Sequence, residues 1–427
     1  MIFSIGTALL LLFICLGIPV GFALGIAGIA SLAMIVPTDS ILALMTKVVH
    51  GTTGNYVMLT IPMFVLMAEF LSVGGVAQDL MLASNRLFHK VKGGMAMSCV
   101  LAGAVLASAS GSSTASAASI TRASFPAMNK AGYADSFTLG TIAASGTLAI
   151  MIPPSVAFVL YGLMTDTSIG KLFIAGIVPG VLTILGYALT ITLLLKFKPG
   201  LAPKVGGGID HEDSAGRGSV WPIGILILLI LGALYGGIAT PTEISAVGAL
   251  GALLISLSTR RMNRGGFNSA IGNTLRTSAM ILTIIFGAHL FGYFISFTQV
   301  TNDLLSFIIA NELSPTLVLI FVVLIYLVLG MVMDQAAIII LTAPITTALM
   351  VGLGFDAVWW GVVMIKTAEI GMITPPMGLN VFVATSAAKR DLRTGFVGSV
   401  PFVVTELVLL ALLMAFPQIS LMLGQSL

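Results

Sequence analysis

The chain has 427 residues, 58% hydrophobic and only 8% charged, with a formal net charge of +3 and a mean hydropathy of +1.11. That composition excludes a soluble globular domain and reads as an all-α integral membrane protein solvated by a lipid bilayer. Two cysteines, Cys15 and Cys99, both in apolar stretches, exclude a disulfide framework and a cysteine metal cluster. The basic residues fall in short loops and do not form a nucleic-acid surface.

Residues 1–38 carry no charge before Asp39. As one helix they would span roughly 57 Å at the α-helical rise, nearly twice the hydrocarbon core, so the sequence predicts a break at Pro19 into crossings near 2–18 and 19–36. The opening segment lacks a basic start and its apolar run is too long for a signal peptide. Further apolar stretches follow near 53–75, 94–118, 137–165 and 172–196. Within them, 108–116 reads Ser-Ala-Ser-Gly-Ser-Ser-Thr-Ala-Ser, small and hydroxyl-rich, which suits a re-entrant hairpin over about 94–134. A polar linker at 199–219, containing Gly206-Gly207-Gly208 and Asp210 to Asp213, precedes a second series. That series lies near 221–238, 242–258, 275–298, 316–340, 357–386 and 398–420, with a break expected at Pro241 and a second hairpin over about 316–356.

The second series repeats the first at a fixed offset. Ile152-Pro153-Pro154 returns as Thr374-Pro375-Pro376, Pro19 as Pro241, and Gly132-Tyr133 as Gly354-Phe355, each 222 positions on. A duplicated half in a membrane protein is the usual signature of a transporter. The domains are then a first repeat at 1–198, with a broken helix at about 137–165, and a second at 220–427, with a broken helix at about 357–386. If both hairpins return to their own side, each half makes five crossings, and an odd number inverts the second half. With both termini periplasmic, 16 of the 19 Lys and Arg fall on the cytoplasmic side, Lys47 and Lys171 outside and Lys366 at membrane depth, as the positive-inside rule asks.

Backbone broken inside a bilayer must bind something or line a cavity, because its amides and carbonyls lose their helical partners. Oxygen-rich, His-poor surroundings suit a hard cation such as Na⁺, at two sites or more, one per repeat. The candidates are Ser108, Ser110, Gly111, Ser145 and Gly146 in the first half, and Asp334, Gln335, Thr367, Thr374 and Gly378 in the second. Helix N-termini created by the breaks would face an anionic substrate, with Ser112, Ser113, Thr114, Ser116, Ser155 and Asn380 as its contacts. The same small residues also permit close helix contact in lipid, which is the competing reading for 108–119. Asp334, Glu243, Glu369 and Lys366 lie at membrane depth, where ionisable groups are commonly functional. Against that, Lys366 and Glu369 are spaced i, i+3 as a structural ion pair, and Glu243 is placed to cap a helix. Glu69 and Glu406 read as half-buried helix contacts. No His-Glu-x-x-His, Gly-x-Ser-x-Gly or phosphate-loop pattern is present, so the sequence indicates neither a hydrolase nor an ATP-driven pump.

Several of these motifs together resemble the large membrane subunit of tripartite ATP-independent periplasmic (TRAP) transporters. They are Tyr235-Gly236-Gly237 with Thr240-Pro241-Thr242-Glu243, the 110–116 hairpin, Ile152-Pro153-Pro154-Ser155, and Thr374-Pro375-Pro376-Met377-Gly378-Leu379-Asn380. The resemblance runs along essentially the whole chain. It implies Na⁺-driven secondary uptake of an organic acid, such as a sialic acid or a C4-dicarboxylate, in a bacterial or archaeal cytoplasmic membrane. It also implies an elevator fold, in which hairpins and broken helices form a transport domain moving against a scaffold. The implied partners are a small four-helix membrane subunit and a periplasmic substrate-binding protein. Since no four-helix region precedes residue 1, the small subunit is expected as a separate chain. The alternative is a stand-alone Na⁺/dicarboxylate symporter of the same superfamily.

Overall fold

The computed structural model describes residues 2–203 and 221–423, with the backbone alone over 107–110. Most of the linker expected at 199–219 therefore lies outside the described residues. Among the described residues the chain is entirely helical and turn-connected. The first half contains α1 (Ile2–Cys15), α2 (Val20–Leu32), α3 (Thr38–Thr53), α4 (Thr60–Val73), α5 (Val76–Phe88), α6 (Gly94–Ser110), α7 (Ser113–Lys130), α8 (Asp135–Met151), α9 (Val156–Thr165) and α10 (Ile169–Phe197). The second contains α11 (Trp221–Tyr235), α12 (Pro241–Ser258), α13 (Arg264–Thr298), α14 (Val300–Ala310), α15 (Pro315–Val332), α16 (Gln335–Gly352), α17 (Ala357–Gly371), α18 (Leu379–Ala388) and α19 (Leu392–Ala415).

The 222-residue offset survives in the helix boundaries. The starts of α2, α6, α7, α8 and α9, moved on by 222, each fall within one residue of the starts of α12, α15, α16, α17 and α18. The helix order of the halves differs most at one place. In the first, α3 and α4 are separated at Gly54-Asn55, where Asn55 accepts from Val57 N at 2.9 Å and closes a short 3₁₀ turn. In the second, the matching positions are Arg276-Thr277, with no glycine, and α13 runs unbroken for 35 residues. Single helices do not supply every crossing expected from the sequence. Seven are long and apolar enough to span, or eight if α8 and α9, bent by 42° at their break, count as one. By contrast α1, α2 and α11 have 14, 13 and 15 residues, short of the ~20 of an upright span, because Pro19 and Pro241 fix where the next helix begins.

The halves interlock reciprocally. α2 lies along α13 while α12 lies along α4, and α9 meets α16 while α18 meets α7. Contact is at backbone distance where small residues face each other, as expected in lipid, where close van der Waals fit replaces hydrophobic burial between helices. A Cβ at Gly28 would lie 2.8 Å from Phe291 N, and one at Gly371 2.2 Å from the Gly330 carbonyl carbon. α4 and α13 stand between two groups of helices: α4 touches α6 and α9 on one side and α12 on the other, while α13 touches α16 and α2. Glu243 caps α12 as expected, in a capping box with Thr240. Glu406 departs from expectation: its side chain is fully buried, for a reason given below.

Candidate functional site

Both hairpins turn in two residues. α6 ends at Ser110 and α7 begins at Ser113, with Gly111 at φ +58 in the left-handed region where a side chain is strained. Gly111 is also enclosed, since a Cβ there would lie 2.7 Å from Val156 Cγ2 at the start of α9. The second hairpin turns through Met333 and Asp334 without glycine, and the Asp334 carboxylate accepts from Ala336 N at 3.1 Å to cap α16.

The two tips meet at one cavity of about 510 Å³. Gly111, Ser112, Ser113 and Thr114 line it from the first hairpin, Asp334, Gln335 and Ala336 from the second, and Val156 and Ala157 from the restarted helix α9. Its opposite wall is α4 and α13, through Val65, Ala68, Glu69, Thr277 and Met280. Three helices thus begin at this cavity, α7, α9 and α16, and each presents the amide-rich, partially positive end of its dipole there. No Lys or Arg is among the described lining residues.

The remaining candidates sit around this cavity. Ser116 is buried and lines an adjoining void of about 50 Å³ with Ala68 and Glu69. Asn380, on α18, is fully buried behind the first tip; its Nδ2 donates to Ser113 Oγ and, at 3.3 Å, to the Ala143 carbonyl. Ser155 is buried at the first break, and its Oγ has no hydrogen-bond partner among the described residues. Ser145 and Gly146 lie on α8 against α7, where a Cβ at Gly146 would come 3.1 Å from the Ser113 carbonyl oxygen. Ser145, Thr367 and Thr374 each donate to the carbonyl four residues back, at 2.7, 2.7 and 2.6 Å, leaving their hydroxyl lone pairs free to accept. Gly378 turns the second break at φ +48. The side chains of Ser108 and Ser110 lie outside the described residues. The breaks differ in setting: Pro153 and Pro154 are buried, whereas Pro375, Pro376 and Met377 are exposed. Both Pro-Pro peptide bonds are cis.

Lys366 and Glu369 follow the ion-pair reading and stand apart from the cavity. Lys366 Nζ is 3.4 Å from Glu369 Oε2 and 2.5 Å from Glu406 Oε2, and donates to Thr183 Oγ1 at 2.9 Å; all three charged side chains are 0% exposed. The Tyr187 hydroxyl donates to Glu406 and lies 2.8 Å from Thr147 Oγ1. The network explains the burial of Glu406 and ties α8, α10, α17 and α19 together. Sequence reasoning missed Tyr187, Thr183 and the second carboxylate; the signal was Glu406 itself, an acid in an otherwise uncharged span of 22 residues from Thr394 to Ala415. It also missed Glu69 and Thr277 as cavity wall, since they lie on helices that carry neither break nor hairpin.

A family model described as "Tripartite ATP-independent periplasmic transporter, DctM component" matches residues 7–419. Among similar proteins, the C4-dicarboxylate TRAP transporter large permease protein DctM of Pseudomonas aeruginosa is 34% identical over 93% of each chain. The ectoine TRAP transporter large permease protein TeaC of Halomonas elongata is 34% identical over 86% of each. The isethionate TRAP transporter permease protein DctMQ of Oleidesulfovibrio alaskensis is 30% identical over 90% of this chain and 60% of that one. In fold the chain is similar to the Alcanivorax borkumensis YdaH transporter, at a TM-score of 0.64 and 16% identity over 97% of this chain and 98% of that one. It is also similar to Neisseria gonorrhoeae MtrF, at 0.59 and 14% identity, over 89% and 84%.

Proposed function

The chain belongs to the DctM family as a large membrane subunit of a TRAP transporter, a transporter and not an enzyme, and from this premise we propose that it carries out Na⁺-coupled uptake of an organic acid by an elevator motion. The observation that supports this most is the convergence of both hairpin tips and three helix N-termini on one cavity against α4 and α13. Backbone amides at helix ends hold a carboxylate without a cationic side chain. The block α6–α10 with α15–α19 would move across the bilayer against α1–α4 and α11–α13, keeping the substrate covered, because a bare anion in hydrocarbon costs several kcal/mol.

Na⁺ fits the candidate residues of the tips and breaks: hydroxyls, carbonyls and one carboxylate, with no thiolate or imidazole among them, and a bare Cα at Gly146 that leaves the Ser113 carbonyl approachable. Ser145, Gly146 and the first tip (Ser108, Ser110, Gly111) would hold one ion. Asp334, Gln335, Thr367, Thr374 and Gly378 would hold the second. Bound there, Na⁺ would supply positive charge beside the substrate carboxylate. Ser112, Ser113 and Thr114 would contact substrate directly, with Ser116, Ser155 and Asn380 shaping the tip from behind. The partners in this reading are a small four-helix membrane subunit and a periplasmic binding protein, and both chain termini face the periplasm of a bacterial or archaeal cell. The relatives named for C4-dicarboxylate, ectoine and isethionate give the range of substrates. The test is uptake into proteoliposomes with both partners: an inward Na⁺ gradient should be required. Equal uptake with K⁺ replacing Na⁺ under a proton gradient would overturn the coupling. Uptake without any binding protein would favour a stand-alone symporter.

A further inference from the structure

The cavity carries more negative than positive side-chain charge, and its polar groups divide between two walls. On the hairpin side, Gln335 opens α16 with its Nε2 buried and without a hydrogen-bond partner among the described residues. A buried amide N–H left unpaired is costly, so this donor calls for an acceptor from a ligand. Beside it the first amides of α7, α9 and α16 face the same space. The hairpin wall is therefore a carboxylate end. On the opposite wall stands Glu69, half-buried on α4, its Oε2 accepting from Asn273 Nδ2 at 3.1 Å. Asn273 is a neutral partner, so it leaves the Glu69 charge in place. Asp334 adds a second carboxylate on the hairpin wall; it caps α16 through the Ala336 amide, and in the transport reading above its charge would be balanced by Na⁺.

A dicarboxylate in this space would set its second anionic group against Glu69. We propose that the substrate is a zwitterion: a carboxylate held at Gln335 and the helix N-termini, and a cationic nitrogen group facing Glu69. This rests on the transport reading above and narrows it to one substrate class. A carboxylate-bearing compound with an amidinium or ammonium group in the same molecule matches both walls. Succinate matches only one.

The experiment is thermal stabilisation of the purified chain with its small membrane subunit, without a binding protein whose own selectivity would intervene. The probes are ectoine, succinate and propionate, each titrated in Na⁺ and in choline buffer. Ectoine should half-saturate at a concentration about tenfold below succinate, the worth of one charge-assisted contact. Glu69→Gln should bring ectoine to the level of propionate and leave propionate unchanged, whereas Gln335→Leu should weaken all three alike. Tighter binding of succinate than ectoine, or an unchanged order in Glu69→Gln, overturns the proposal. So does stabilisation by none of the probes, which removes the carboxylate site itself. The expected order in choline as well as Na⁺ would leave this inference standing and count against Na⁺ coupling alone.

Discussion

Asn380, in the first turn of the helix that restarts after the second break, donates its side-chain amide to Ser113 at the tip of the first hairpin. The two residues are 267 positions apart and belong to opposite repeats. On the other side, Tyr161 of α9 donates to the Ala357 carbonyl at 2.7 Å and accepts from Thr347 of α16 at 3.0 Å. Each hairpin is thus held by the broken helix of the other half, so neither tip is positioned by its own repeat alone.

Removing the Asn380 amide should loosen the first tip. Asn380→Ala removes the buried donor to Ser113 Oγ and a second, longer bond to the Ala143 carbonyl, at a cost of about 1–3 kcal/mol. Ser113→Ala removes one and should cost less. Thermal unfolding in detergent gives the order, and uptake should fall more in the asparagine variant. A melting temperature for Asn380→Ala equal to wild type would show that the interlock does not hold the tip.

Asp334 combines a cap with a charge, and the two are separable. Asparagine caps as well as aspartate, so Asp334→Asn should melt near wild type, whereas Asp334→Ala should lose about 1 kcal/mol. If the carboxylate contacts Na⁺, both variants should lose Na⁺-dependent uptake. Wild-type uptake by Asp334→Asn would leave the residue only its capping role.

Lys366 is the single cation in a buried network with two carboxylates. Lys366→Met should therefore be strongly destabilising, by about 3–5 kcal/mol, since it leaves acids uncompensated at membrane depth. The triple change with Glu369→Gln and Glu406→Gln should recover much of that loss. A triple variant no more stable than Lys366→Met would assign the cost to shape instead of charge.

Glycine contacts make the same kind of claim about distance. A Cβ at Gly398 would sit 1.8 Å from the Ser136 carbonyl oxygen, so Gly398→Ala must part α8 from α19 and should cost at least ~1–3 kcal/mol. Gly232, on exposed α11, has nothing within 4 Å, and alanine there should be neutral or stabilising by up to ~1 kcal/mol. Equal folded yields of the two variants would contradict the close approach of α8 and α19.

Much of this architecture was legible because proline and glycine act locally. The helix starts near Pro19 and Pro241, the Gly111 turn and both broken helices follow from residues whose effect on the backbone needs no partner. The short α1, α2 and α11 and the unbroken α13 were less legible, since apolar runs show where a chain enters lipid but not where a helix ends. The cavity wall was hidden for another reason. Glu69 and Thr277 acquire their role from helices crossing far apart in sequence, and the Lys366 network needs Tyr187 and Glu406 from two further helices. The sequence points to serine and threonine hydroxyls at the tips, yet only the fold separates Ser112, Ser113 and Thr114, which line the cavity, from Ser116 and Ser155, which do not.

The proposed inversion of the second half makes the sharpest prediction. If each half crosses five times, equivalent hairpin ends must emerge on opposite faces of the membrane. Lys130 ends α7 and Val351 lies in the last turn of α16, at nearly the same place in the two repeats, and both are exposed. Met128, two residues before Lys130, is fully buried against Cys99 and so unsuitable as a reporter. With Cys15 and Cys99 first replaced, Lys130→Cys should react with an impermeant maleimide only from the cytoplasm, and Val351→Cys only from the periplasm. Partner subunits stay present, so that a covered position is recognised by its recovery when they are removed. Labelling of both cysteines from one side would exclude the inversion. With it would fall the periplasmic placement of both termini and the pairing of one ion site with each repeat.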